Sequence, residues 1–231
     1  MVDRAFLDWL RDETERRWRD AATPGPDGLA WQPGTRWRGG MTSSEMEIAE
    51  DVFEVRFPQA YRRFLAALHT PDPPLLGSAY GGRGAVRIEG RHLPDWTGDV
   101  LAIAGTITWP VEGLLRAVED GRWHPGWGER PDDAGRRAAI VRRLAAAGPR
   151  LVPIARRRYL AASPGAEDGP VISMYGADVR VLAPDLRSGL LRELGLDDPE
   201  DAAGRVTPGP IPFWQDVVNG LAWAQDMAVR T

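Results

Sequence analysis

The stretch from Arg150 to Leu191 constrains the fold more than any other part of this chain. It holds three apolar, β-branched runs, Leu151–Ile154, Pro170–Met174 and Asp178–Leu182. Turn residues separate them: Pro164-Gly165, Gly169-Pro170 and Gly176. Three strands this short must pair with one another and be covered by helices on either side. A helix from Pro184 to Leu194 closes the stretch.

Helical periodicity supplies the cover. Residues 2–20 place Val2, Phe6, Trp9 and Leu10 on one face. A second helix is predicted to begin near Ser44, where Ser44 and Glu47 have capping-box spacing. Met46, Ala49, Val52 and Phe53 would form its inner face. It should stop before Phe57-Pro58, with Pro58 in the first turn of a third helix whose stripe is Tyr61, Phe64, Leu65 and Leu68. Residues 133–147 form another, capped by Asp132 or Asp133, with Ile140, Val141 and Leu144 on one side and Arg136, Arg142 and Arg143 on the other. Ile211-Pro212 starts a last helix with Phe213, Trp214, Val217, Val218, Leu221 and Ala224 as its stripe. Residues 23–41 and 195–210 read as loops. Ala85–Ile88 and Val100–Trp109 read as strands after a turn at Gly81-Gly82-Arg83-Gly84, and Val111–Glu119 as a short helix.

Composition narrows the function classes. At 231 residues, 43% apolar and 27% charged, the chain can bury a core without staples. It has no cysteine, so disulfides, thiolate metal sites and cysteine nucleophiles are excluded. No run of about 18 apolar residues is present, and the first 18 residues are too charged for a signal peptide, so a cytoplasmic protein is expected. His69, His92 and His124 lack metal-ligand spacing and read as loop or surface residues, and no cofactor motif is found. The glycine-rich turn lacks the lysine of a phosphate loop, and no serine sits in a nucleophile-elbow setting.

Charge is unevenly spread. All basic residues are arginine, and from Ala134 to Ala166 eight arginines occur without an acid, although the chain carries a net charge of −4. Arg136, Arg142 and Arg143, with Arg156 and Arg157, are the candidate basic face, set either against a partner or against acids such as those between Glu45 and Glu54. The acidic remainder argues against nucleic acid. Trp109, Glu112, Trp123, Trp127, Arg158 and Tyr159 are the candidate partner groove, because Trp, Tyr and Arg dominate interface hot spots, with Glu112 and Arg158 as a charge-assisted pair. The alternative is a Trp-rich cap on the sheet.

Several of these segments resemble the SUKH superfamily of Smi/Knr-like proteins. Ala49-Glu50, Phe57-Pro58, Tyr61 and Phe64-Leu65 are similar to its opening helices. Trp109-Pro110-Val111-Glu112-Gly113, Trp123, Trp127-Gly128-Glu129-Arg130-Pro131, Leu151–Ile154, Arg158-Tyr159, Val171, Ser173–Tyr175, Asp178 and Ile211–Trp214 resemble a bacterial branch. His69-Thr70-Pro71 stands where that pattern has a glycine-rich turn, and Arg157 where it has histidine. The resemblance implies one α+β domain with a central, mostly antiparallel or mixed sheet and helices mainly on one face. Its core would span about residues 43–225, with 1–42 as a helical extension. It implies a non-catalytic interaction protein, such as an immunity protein that neutralises a bacterial toxin. An adaptor binding a host protein or small ligand is the alternative, and an unrecognised hydrolase has less support.

Overall fold

The computed structural model describes residues 1–81, 84–162, 165–176, 178–199 and 211–218. Gly82-Arg83, Ser163-Pro164, residues 200–210, and Leu221 and Ala224 of the expected C-terminal stripe lie outside them.

Helix α1 (Arg4–Arg17) starts at Asp3, whose carboxylate accepts the Phe6 N–H at 2.9 Å. Its Phe6, Leu7 and Leu10 are buried. The expected loop that follows contains three two-residue strands: β1 (Thr23–Pro24), β2 (Ala30–Trp31) and β3 (Arg36–Trp37). Tryptophan packing holds it down. Trp18 stacks on Trp31 with ring centres 4.5 Å apart, and the Trp37 indole N–H donates to Thr14 Oγ1 at 2.8 Å.

Helix α2 (Ser43–Val52) opens with a capping box two residues earlier than expected. Thr42 and Glu45 make it in place of Ser44 and Glu47, at the same spacing. Met46, Ala49 and Phe53 are buried, but Val52 is exposed, because it stands one turn above Ile48 on the solvent side. Helix α3 (Gln59–Ala67) takes Pro58 as its N-cap and buries Tyr61, Phe64 and Leu65, with Leu68 following. Strands β4 (Pro71–Asp72), β5 (Leu75–Gly81) and β6 (Gly84–Gly90) come next, and β5 and β6 form an antiparallel hairpin.

Helix α4 runs unbroken over Val100–Glu119, which corrects the expectation of a strand at Val100–Trp109 and a short helix after it. The β-branched residues there favour a strand locally. Ile103, Ile107, Pro110, Leu114 and Val118 nevertheless recur every three or four residues, and burial of that stripe decides the outcome. Helix α5 (Ala134–Ala147) is capped by Asp133, which accepts the Arg136 N–H at 2.7 Å, and ends at Gly148.

The opening stretch forms four strands, not three: β7 (Leu151–Ala155), β8 (Arg158–Ala161), β9 (Val171–Tyr175) and β10 (Asp178–Ala183), paired antiparallel in the order β10-β9-β8-β7. The missed strand is β8. Arg156-Arg157 is its hairpin turn, with Arg157 at φ 53°. Helices α6 (Leu186–Leu194) and α7 (Trp214–Val218) complete the described elements. The other sheets are β1-β2-β5-β6 and β3-β4.

The β7–β10 sheet divides the interior by strand periodicity. Val152, Ile154, Leu160 and Val171 join a core with α1, α2, α3 and α6. Leu151, Tyr159, Ala161 and Ile172 point the other way, into a core with Leu114, Val118, Val141, Trp214 and Val217. The α+β class expected from the sequence is the class observed, but helices cover both faces of this sheet where they were expected mainly on one, because both alternating sets of its strand residues are apolar and need cover. The N-terminal residues Val2, Phe6, Leu10, Trp18, Trp31 and Trp37 belong to the first core.

Candidate interaction surface

Two neighbouring hollows sit where α4, α5 and the start of β7 meet. The smaller, about 260 Å³, is an apolar trough. Ile107, Pro110 and Val111 of α4 form one wall, Ala145 and Ala146 of α5 the other, and Trp214 an end. Arg142 and Arg150 stand at its edge. Gly148 and Pro149 stop α5 there, and the Pro149 carbonyl accepts the Trp214 indole N–H at 2.9 Å, which fixes the ring. The larger hollow, about 430 Å³, shares Ala146, Pro149 and Arg150 and runs on to Asp51 at the end of α2 and to Glu54 and Arg56 just past it. Arg150 pairs with Glu54 across it at 3.0 Å, and Arg56 pairs with Asp51 along the α2 side at 3.1 Å.

The six expected groove residues do not share an open surface. Trp123, Trp127 and Tyr159 are buried in the second core. Trp123 meets Trp127 edge-on at 5.5 Å and donates its indole N–H to the Gly128 carbonyl at 2.8 Å. Trp109 is half-buried, with the Arg116 guanidinium 5.8 Å from its ring centre, and Glu112 is exposed. The expected Glu112–Arg158 pair is replaced. Adjacent residues of a strand point to opposite faces, so with Tyr159 turned toward α4, Arg158 faces away from it. There Arg158 binds Glu193 at 2.8 Å and Ser173 Oγ at 3.1 Å.

That far side holds a buried polar cluster. Glu193 Oε2 lies 2.9 Å from His92 Nε2 while its other oxygen takes the Arg158 bond. Burial alone would raise the Glu193 carboxyl, but His92 and Arg158 outweigh it and hold it below its ordinary value. All three histidines are buried, against the surface placement expected. His69 Nε2 accepts the Trp96 N–H at 2.9 Å, and burial lowers its pKa, which keeps it neutral. His124 Nδ1 accepts the Gly126 N–H at 3.1 Å. Among the described residues, no group of three or more His, Cys, Asp or Glu could hold a metal ion. No described helix is long and apolar enough to cross a membrane.

The candidate basic face separates into two sets. Arg157 lies over the Tyr175 ring at 4.5 Å, and Arg156 is 3.9 Å from Asp27. Arg136, Arg142 and Arg143 are exposed on α5, and none makes an ion pair among the described residues. Arg142 thus joins the trough, and the charge pattern had marked it. The apolar lining had no such signal, since Ile107, Ala145, Pro149 and Trp214 come from separate elements. Comparison with models of known protein families, with curated proteins and with solved structures found no match.

Proposed function

We propose that this chain is a non-catalytic binding protein that takes an acidic, apolar-tipped segment of a partner protein into the trough between α4 and α5. One observation carries the reading: an apolar hollow edged by Arg142, with Arg136 and Arg143 exposed on the same helix. Apolar contacts in the trough would supply affinity, and the arginines would select acidic partners and speed encounter. The resemblance to SUKH immunity proteins makes the partner a toxin domain encoded beside this chain, neutralised by steric and electrostatic blocking in the cytoplasm. The test is co-production with that toxin domain. Growth should return with the wild-type chain and be lost with Arg142→Glu, in step with calorimetric binding of the purified domain. A wild-type chain that neither binds the domain nor restores growth removes the immunity reading.

A further inference from the structure

Helix α2 carries Glu45, Glu47, Glu50 and Asp51 and no base, whereas α5 carries Arg136, Arg137, Arg142 and Arg143 and no acid. Each helix presents some of this charge beside apolar surface that the fold leaves uncovered. On α2, Ile48 and Val52 are 62% and 59% exposed and stand one turn apart. Glu47 and Asp51, also one turn apart, run beside them and are exposed. On α5, Arg142 edges the apolar trough, with Arg143 exposed next to it. The two surfaces adjoin within one chain. Glu54, just past α2, binds Arg150, just past α5, at 3.0 Å, and Asp51 and Ala146 line the cleft between them.

We infer that the trough receives α2 of a second copy of this chain, in a two-fold symmetric homodimer. Ile48 and Val52 of each copy enter the other's trough against Ile107, Val111 and Trp214. Glu47 and Asp51, the latter leaving its own Arg56, face Arg142 and Arg143. A two-fold axis at the Glu54–Arg150 seam lays each acidic patch on the other copy's basic patch, so the contact is made twice, as in most homodimers. Charge complementarity selects this occupant: the trough fits an acidic helix with an apolar stripe, and the chain carries one. An unlike acidic partner would compete with α2 for the same place. The inference rests on the trough being a docking surface, as proposed above, and on no particular toxin.

Sedimentation velocity on the full chain, with circular dichroism to verify folding, tests it. Wild type is expected at twice the monomer mass, with the dimer weakened by added salt. Glu47→Arg/Asp51→Arg and Arg142→Glu/Arg143→Glu should each sediment as folded monomers, because like charges then face each other at both contacts. Mixed in equal amounts, the two variants should form a heterodimer. A monomeric wild type, a dimer that survives either pair of substitutions, or a mixture that stays monomeric overturns the proposal. Growth protection is read separately. A monomer that still neutralises its toxin removes only the dimer, and a dimer that neutralises nothing removes only the immunity reading.

Discussion

The Tyr159 hydroxyl donates to the Thr106 carbonyl oxygen at 3.0 Å, and Pro110 is the reason that oxygen is open. In a helix the carbonyl of residue 106 would accept the N–H of residue 110, and proline has none. Strand β8 supplies the missing donor, and so ties the sheet to the α4 wall of the trough. Burial pushes the Tyr159 phenol up, so it remains a donor at ordinary pH. Tyr159→Phe should cost about 1–2 kcal/mol, the penalty of an unpaired polar group in a partly buried place. In a Pro110→Ala background the helix provides its own N–H, and the cost should shrink. Urea midpoints of the four proteins decide this, and an equal cost in both backgrounds would show the two residues to be uncoupled.

Glu193 is the buried carboxylate that joins α6 to β8 and His92. Glu193→Gln should destabilise by about 1–2 kcal/mol, less than for a fully buried pair because Arg158 keeps part of its surface in water. The native carboxyl is held below its ordinary 4.5, so its contribution is present above that value and lost as pH falls through the lower native one. The gap between wild type and variant should be widest near neutrality and close in acid. A gap that stays constant into acid would mean the charge is not what matters.

How much of this was legible varies with the physical scale of the signal. Strand alternation and turn chemistry located β7, β9 and β10, and capping rules located α5, because those signals lie within a few residues. Strand β8 escaped because Arg-Arg-Arg-Tyr reads as a charged turn; only pairing with β7 and β9 makes Arg158–Ala161 a strand. The first half of α4 escaped for the opposite reason: its β-branched residues match a strand locally, and packing of Ile103 and Ile107 on the core at the sheet overrules them. At the surface, Arg142 stood out through a run of arginines without acids. The trough it edges did not, since no local pattern shows that Ile107 and Trp214 meet.

Asp168 should make the protein less stable as pH rises through mild acid. Burial pushes its carboxyl from 3.8 up to about 6, against the pull of the Gly169 and Leu186 N–H groups, with Asp185 and Glu167 adding to the rise. For a native pKa above the unfolded one, stability is full below the unfolded value and lost as pH passes through the native value. Asp168→Asn keeps an oxygen for both N–H groups and removes the charge. It should gain about 1–2 kcal/mol over wild type above pH 6 and nothing below pH 4, since one pKa unit is about 1.4 kcal/mol and solvent trims the full shift. Denaturation midpoints measured across that range test it; a gain independent of pH would point to packing and not to titration.

Gly40 and Gly39 offer a matched pair that tests how α2 is seated. A Cβ on Gly40 would collide with the Ala66 carbonyl oxygen, a backbone atom of α3 that cannot swing aside, whereas one on Gly39 would meet nothing within 4 Å. The next residue, Met41, donates its N–H to the Leu65 carbonyl at 2.7 Å, and Thr42 then caps α2. Gly40→Ala therefore has to push the entry to α2 away from the end of α3, at a cost of about 3 kcal/mol, the upper part of the range for an overpacked site. Gly39→Ala should change stability by less than about 0.5 kcal/mol, as surface substitutions do. Amide exchange supplies the spatial check: Gly40→Ala should speed exchange in α2 before it affects β7–β10. Equal stability of the two variants would mean that the backbones of Gly40 and Ala66 do not approach this closely in solution.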